Sequence, residues 1–285
     1  MIVVRTVPDL RDAVVAARRR GARIGLVPTM GAFHEGHLTL MRRARERCGF
    51  VVVTLFVNPA QFSDAGDLAR YPRDEARDTE LAASTGADVL FAPAVNEVYP
   101  AGFSSAVEVR GVSAPLEGAA RGPEHFRGVA TVVTKLFNMA QPDDAFFGQK
   151  DAQQALLIRR MVRDLDFPVR IEVCPTVREA DGLAMSSRNA LLEPEARDRA
   201  PVLHQALSMV ATLVEQRARI DDAIAHAREL LAAHGVVPEY LAAVSTDTLQ
   251  PVHVVDGETL VAIAARFGGV RLIDNVILHP SERDA

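Results

Sequence analysis

The segment best equipped for chemistry is Pro28-Thr29-Met30-Gly31-Ala32-Phe33-His34-Glu35-Gly36-His37. His34 and His37 stand three residues apart, so on a helix they project to the same side. Gly31 and Gly36 let the backbone turn sharply and approach a ligand closely. Before the segment comes Ile24-Gly25-Leu26-Val27, a short apolar run stopped by Pro28. After it, Leu38, Met41, Ala44 and Cys48 recur at helical spacing. A buried strand thus runs through a loop into a helix that starts near Gly36 or His37. The first turn of such a helix has N–H groups without intrahelical partners and carries the positive dipole end. Phosphate is the natural guest there. Two imidazoles at that point can donate hydrogen bonds to charge developing on phosphoryl oxygens. Zinc fits poorly, because two histidines do not close a site and no Cys or third His is nearby.

Three further segments could serve the same ligand. Phe146-Phe147-Gly148-Gln149-Lys150-Asp151-Ala152-Gln153-Gln154 follows another apolar run. Lys150 can offer a point charge to phosphate, Asp151 can accept from a ribose hydroxyl, and Gln154 can bind a polar substrate. The plainer alternative is that Lys150 pairs with Asp151 in solvent. Gly182-Leu183-Ala184-Met185-Ser186-Ser187-Arg188-Asn189 offers two hydroxyls and a guanidinium in sequence. Otherwise it is a polar connecting loop. Phe56-Val57-Asn58-Pro59-Ala60-Gln61-Phe62 presents uncharged hydrogen-bonding groups at a strand exit. Asn-Pro turn chemistry alone would also explain it.

The elements that must position these residues alternate. Val51 to Val57 reads as a strand buried on both faces, Asp74 to Ala83 as a helix, and Val89 to Phe91 as a strand closed by Pro93. Val129 to Met139 is a helix, Ala145 to Phe147 a strand, Gln153 to Leu165 a helix and Val169 to Val173 a strand. Right-handed βαβ units in this order predict a Rossmann-like, doubly wound α/β sheet over residues 1–176. In such a sheet the carboxyl ends of all strands lie on one side, so the loops after them converge. From about 177 to 285 the pattern is α+β. Helices are expected over Glu195 to Arg217 and Asp221 to His234, and strands at Tyr240 to Val244, Leu260 to Ala264 and Val270 to Leu278.

Composition narrows the class. The chain has 285 residues, 48% of them hydrophobic, and a formal net charge of −5. No global field draws it to nucleic acid or to an anionic membrane. Arg18-Arg19-Arg20 reads as a solvated helix end. Cys48 and Cys174 do not make a disulfide framework. The N-terminal residues lack a signal-peptide layout and no apolar run is long enough to span a bilayer. A cytoplasmic enzyme is expected. Neither a phosphate loop with Gly-Lys-Ser/Thr, nor a dinucleotide fingerprint, nor a Gly-x-Ser-x-Gly elbow occurs.

At these motifs the sequence resembles the pantothenate synthetase (pantoate–β-alanine ligase) family, among the nucleotidyltransferases with a His-x-Gly-His loop. The resemblance also covers Tyr71-Pro72-Arg73, His125-Phe126-Arg127-Gly128-Val129, Arg178-Glu179-Ala180-Asp181 and Arg271-Leu272-Ile273-Asp274-Asn275. It implies ATP-dependent condensation of (R)-pantoate with β-alanine through an enzyme-bound pantoyl adenylate, releasing AMP and diphosphate. By the resemblance, His34, His37, Lys150, Ser186, Ser187 and Arg188 are catalytic. ATP would also meet Pro28, Thr29, Met30, Gly31, Gly36, Gly148, Gln149, Asp151, Val177 and Met185. Pantoate would lie against Pro28, Met30, Gln61, Val132, Val133 and Gln154, and β-alanine by Asn58 and Tyr71. Mg²⁺ would bridge the phosphates with Asp78 as a protein contact, the C-terminal domain would act as a lid, and the N-terminal domain would form a homodimer.

This chain departs from the family pattern at a few places. Gln149 stands where Glu is usual, Ala152 where an aromatic is usual, and Arg77 where an acidic residue is common. Arg121 comes one place early, before Gly122. A rival expectation is another His-x-Gly-His nucleotidyltransferase with a phosphorylated acceptor. The uncharged Gln61 and Gln154 argue against a second phosphate in the acceptor pocket. The other rival is a non-catalytic nucleotide-binding scaffold, which would not need the histidines, Lys150 and the Ser-Ser-Arg run together.

Overall fold

The computed structural model describes residues 1–62 and 65–280. The chain runs β1 (Ile2–Val4), α1 (Val7–Arg19), β2 (Ile24–Val27), α2 (Glu35–Arg47), β3 (Phe50–Thr54), α3 (Ala65–Arg70), α4 (Glu75–Ser84) and β4 (Val89–Phe91). There follow α5 (Val95–Val98), α6 (Glu117–Arg121), α7 (Pro123–Ala140), β5 (Asp144–Gly148), α8 (Ala152–Asp164) and β6 (Arg170–Cys174). Then come α9 (Pro194–Arg199), α10 (Val202–Glu215), α11 (Ile220–Ala233), β7 (Pro238–Ser245), β8 (Thr259–Phe267) and β9 (Val270–Leu278). Short 3₁₀ turns occupy Pro59–Gln61, Gln149–Asp151 and Ser187–Leu191. Among the described residues no helix is long and apolar enough to cross a membrane.

The backbone divides into two units. One is Met1–Gly148 with Gln153–Pro175, and the other is Gln149–Ala152 with Thr176–Ala285. The first unit holds a six-stranded sheet in the order β1-β4-β3-β2-β5-β6, with every pair parallel. The chain winds outward from β2 through β3 to β4, then returns to the other side of β2 with β5 and β6. The order therefore reverses between β2 and β5, and ligands bind at such a switch point beyond the strand carboxyl ends. The loop from Pro28 leaves β2 there.

Two acidic residues fix the opposite end of the sheet. Asp143 accepts the Ile24 amide at 2.7 Å and the Arg18 guanidinium at 3.0 Å. Asp144 is fully buried and pairs with Arg23 and, at 3.4 Å, with Arg170. Burial alone would raise its pKa, but the hydrogen bond and charge of Arg23 outweigh it and hold the carboxyl below its ordinary value. Burial pushes the thiols of Cys48 and Cys174 up to about 12 and about 11, so both stay protonated at neutral pH.

The second unit is an antiparallel β7-β8-β9 sheet. One face carries Leu241, Ala243, Val261, Ile263, Ala265 and Leu272, which share a core with Leu203, Leu207 and Val210 of α10 and Ala227 and Leu231 of α11. The single helix expected over Glu195 to Arg217 is instead α9 and α10. Pro201 between them has no N–H to donate and interrupts the ladder. The strand expected over Val51 to Val57 stops at Thr54, and α7 begins six residues before Val129, with Pro123 in its first turn. The α/β sheet with a smaller α+β part is the fold the sequence pattern predicted.

Candidate active site

The Pro28–His37 loop is held from both sides. The Thr29 amide donates to Thr54 Oγ1 at 3.0 Å, and the Thr29 hydroxyl donates to the Thr54 carbonyl at 2.5 Å. Gly31 turns at φ +87° and Ala32 at φ +54°. Asp78, from α4 and only 1% exposed, captures the next two amides: Ala32 N and Phe33 N each lie 2.8 Å from one of its oxygens. Phe33 plugs into the core beside Leu38 and Met41. The contact of Asp78 with Mg²⁺ finds no support in this geometry, because both carboxylate oxygens face the loop backbone. Among the described residues no group of three or more His, Cys, Asp or Glu side chains could hold a metal ion.

The helix starts earlier than expected, at Glu35, with His34 as its N-cap. His34 Nδ1 accepts the Gly36 amide at 3.1 Å, and His37 Nδ1 accepts the His34 amide at 3.4 Å. This is a capping box built from imidazoles in place of Ser and Glu. It uses first-turn amides that the sequence offered to phosphate. It also decides the tautomers: with Nδ1 accepting, the ring proton of each neutral imidazole sits on Nε2. The ring centroids are 4.2 Å apart, so the two imidazoles lie against each other.

Beyond β3, Asn58 was expected to touch β-alanine. It is 1% exposed, and its amide makes every bond it can. Its Nδ2 donates to Gln61 Oε1 at 2.9 Å and to the Gly128 carbonyl at 3.2 Å. Its Oδ1 accepts from the Ala60 amide at 3.2 Å and from the Tyr99 hydroxyl at 2.8 Å. Asn58 is thus a hub that sets the Gln61 side chain. Gly128 lets α7 lie directly on this turn, since a Cβ there would be 2.2 Å from the Ala60 carbonyl oxygen. Val132 and Val133 are buried further along α7, and the Phe62 and Tyr71 rings meet edge-on at 5.8 Å. Gln154 sits in the first turn of α8, partly buried, while its neighbour Gln153 is buried and accepts the Glu117 amide at 2.9 Å.

Gly148 ends β5 in the first unit, and the remaining expected residues lie in the second. Lys150 is on the Gln149–Asp151 turn, with Nζ 3.7 Å from Asp151 Oδ1. Arg178 to Ala184 is a tight hairpin in which the Met185 amide donates to the Val177 carbonyl at 2.9 Å. Gly182 turns it at φ +93°, against the His204 ring. Ser186 then caps the Ser187–Leu191 turn, its Oγ accepting the Arg188 amide at 3.2 Å. Asn189 donates back to Glu179 at 2.7 Å and to the Ala184 carbonyl at 3.1 Å. Sequence reasoning missed Tyr99 altogether, gave Asp78 as an ion contact rather than a loop anchor, and assigned no supporting role to Gln153 or Asn275. Only the buried amides and the acid, among otherwise polar stretches, could have hinted at them.

A family model for pantoate-beta-alanine ligase matches residues 2–277. The chain belongs to the pantoate–β-alanine ligase family. It is 52% identical to the pantothenate synthetase of Moorella thermoacetica over 284 residues, covering 99% of this chain and 100% of that one. It superposes on the pantothenate synthetase of Thermus thermophilus with a TM-score of 0.93 at 48% identity, over 98% of this chain and 100% of the other. A ligase from Francisella tularensis, described as complexed with beta-gamma ATP and beta-alanine, matches with a TM-score of 0.80 at 32% identity, covering 97% of each chain.

Within this ligase the departures from the family pattern acquire local reasons. Gly122 takes φ +85° between α6 and α7, a conformation that suits glycine, and Arg121 reaches Glu117 at 2.8 Å. Arg77 is exposed, beside the buried Asp78. Gln149 donates through its amide to Asn275 at 3.3 Å, which a carboxylate could not do.

Proposed function

We propose that this ligase condenses (R)-pantoate with β-alanine in two steps at the expense of ATP. The pantoate carboxylate attacks the α-phosphorus and diphosphate leaves. The β-alanine amine then attacks the carbonyl of the enzyme-bound pantoyl adenylate, and AMP leaves. No protein nucleophile is needed, so the chain contributes position and charge stabilisation.

The observation that carries this reading is the reciprocal cap of His34 and His37, which supports paired Nε2–H donors for the phosphoryl oxygens of ATP. In this reading Lys150, Ser186, Ser187 and Arg188 neutralise the phosphates, while Asp151 takes the ribose. Pro28, Thr29, Met30, Gly31, Gly36, Gly148, Gln149, Val177 and Met185 complete the ATP contacts. Gln61 has its oxygen occupied by Asn58, so its amide is left to donate. A donor there suits the oxygens of pantoate, with Gln154, Val132 and Val133 as further contacts and Tyr71 toward β-alanine. Mg²⁺ would travel with the ATP phosphates, and no step is assigned to it. A homodimer through the first unit and a cytoplasmic setting complete the proposal, and the two protonated thiols suit a reducing compartment.

The test is substrate dependence. Diphosphate should be released from ATP only with pantoate, and AMP and pantothenate only when β-alanine is added. Diphosphate release driven equally by a phosphorylated acceptor would favour the rival nucleotidyltransferase and end this proposal.

A further inference from the structure

Two consecutive residues of β9, Asp274 and Asn275, are each 3% exposed and polar. Successive strand residues point to opposite faces. Leu272 and Leu278 share the parity of Asp274 and pack in the core with α10 and α11, so Asp274 lies on the helix-covered face and Asn275 on the other. A buried polar pair in an apolar strand costs stability unless it is fully bonded. Both are bonded, and to different segments.

Asp274 takes Arg178 in a two-pronged ion pair at 2.6 and 3.0 Å. The same guanidinium donates to the Gly182 carbonyl at 3.1 Å, closing the hairpin that leads to Ser186, Ser187 and Arg188. Asn275 donates from Nδ2 to the carbonyls of Gln149 and Lys150 at 2.9 and 3.0 Å. Its Oδ1 accepts from the Gln149 side chain at 3.3 Å. The Gln149–Asp151 turn is one short 3₁₀ segment with no buried side chain of its own. Its placement within this unit is therefore fixed by three bonds to one asparagine.

We propose that Asn275 is a positioning residue for Lys150, and that the Asp274-Asn275 pair locks the Lys150 turn and the Ser186–Arg188 run to one strand as a single phosphate-handling body. The inference rests on the reading that Lys150 faces the reacting phosphate. Lysine is a point charge on a flexible stem. Its contribution depends on where its Cα is held, and a shift of about 1 Å in a positioned group can cost about 10²-fold in rate. Gln149 strengthens the lock with a bond that the usual glutamate of the family could not donate.

The experiment is a double-mutant cycle on the intact ligase, read as the rate of diphosphate release in a single turnover, with the three KM values and the melting temperature. Lys150→Ala should lower adenylation about 10²-fold or more. Asn275→Ala should lower it about 10- to 100-fold while KM for β-alanine stays within about twofold. In the double variant the Asn275→Ala loss should nearly vanish, because its effect runs through Lys150. Losses that multiply, or wild-type adenylation in Asn275→Ala, would overturn the inference while leaving Lys150 in place. Full activity in Lys150→Ala would instead remove the underlying reading, and the inference with it. Should Asn275→Ala not fold, Gln149→Glu decides. It should lose about threefold in the wild-type background and nothing in Lys150→Ala, and an equal loss in both would reject the proposal.

Discussion

Asp78 holds Ala32 in a left-handed turn: its Oδ2 accepts the Ala32 amide at 2.8 Å, where φ is +54°. A non-glycine residue in that region costs roughly 1 kcal/mol or more. The loop keeps the conformation because the buried carboxylate collects two successive amides. The neighbouring Gly31 is constrained by the same group, since a Cβ there would stand 2.8 Å from Asp78 Oδ2.

Asp78→Asn should therefore destabilise the protein by about 1–3 kcal/mol, because one side-chain NH₂ would face a loop amide. Adenylation should fall at least about tenfold as His34 and His37 lose their fixed approach. Urea denaturation and single-turnover diphosphate release measure the two effects. A loss that tracked Mg²⁺ concentration, with stability unchanged, would return Asp78 to the role of ion contact.

The Tyr99 hydroxyl supports Asn58 from behind. Burial raises its pKa to about 12, so it remains a neutral donor across the working pH range. Tyr99→Phe removes one bond and leaves Asn58 Oδ1 short of a partner, at a cost of about 1 kcal/mol. The Gln61 amide should loosen with it. KM for pantoate should rise severalfold, while KM for ATP changes little. An unchanged pantoate KM would mean that Gln61 needs no such support.

His204 gives the fold an acid-sensitive element. Burial pushes its imidazole below the ordinary 6.5, the charge of Arg178 pushes the same way, and Asp274 opposes both. Its Nδ1 is buried with no hydrogen-bond partner, so protonation would add a donor with nowhere to go. The folded state thus binds the proton less readily than the unfolded chain. The stability this confers is complete above pH 6.5 and is lost as pH falls below it. The melting temperature should drop between about pH 7 and pH 5 by more in the wild type than in His204→Gln. Parallel pH profiles for the two proteins would count against this account.

Local chemistry was legible in the chain itself. Short β-branched runs closed by Pro or Gly mark the parallel strands, because a strand buried on both faces must be apolar throughout. The Ile24–Val27 and Val89–Phe91 strands were found at their observed bounds for that reason. The histidine loop was legible too, since glycine spacing and a following amphipathic helix are properties of neighbours in sequence.

Tertiary structure decided what depends on distant partners. Nothing near Ala32 announces that Asp78, 46 residues beyond it, fixes the loop. Asn58 looked like a substrate group because its type fits one, yet Tyr99 and Gly128 saturate it. Asn275 and Lys150 are 125 residues apart, and a hydrogen bond between them leaves no periodicity to read. Burial and the satisfaction of polar groups are properties of the packed chain, so side-chain type fixed what each residue could do and packing fixed what it does.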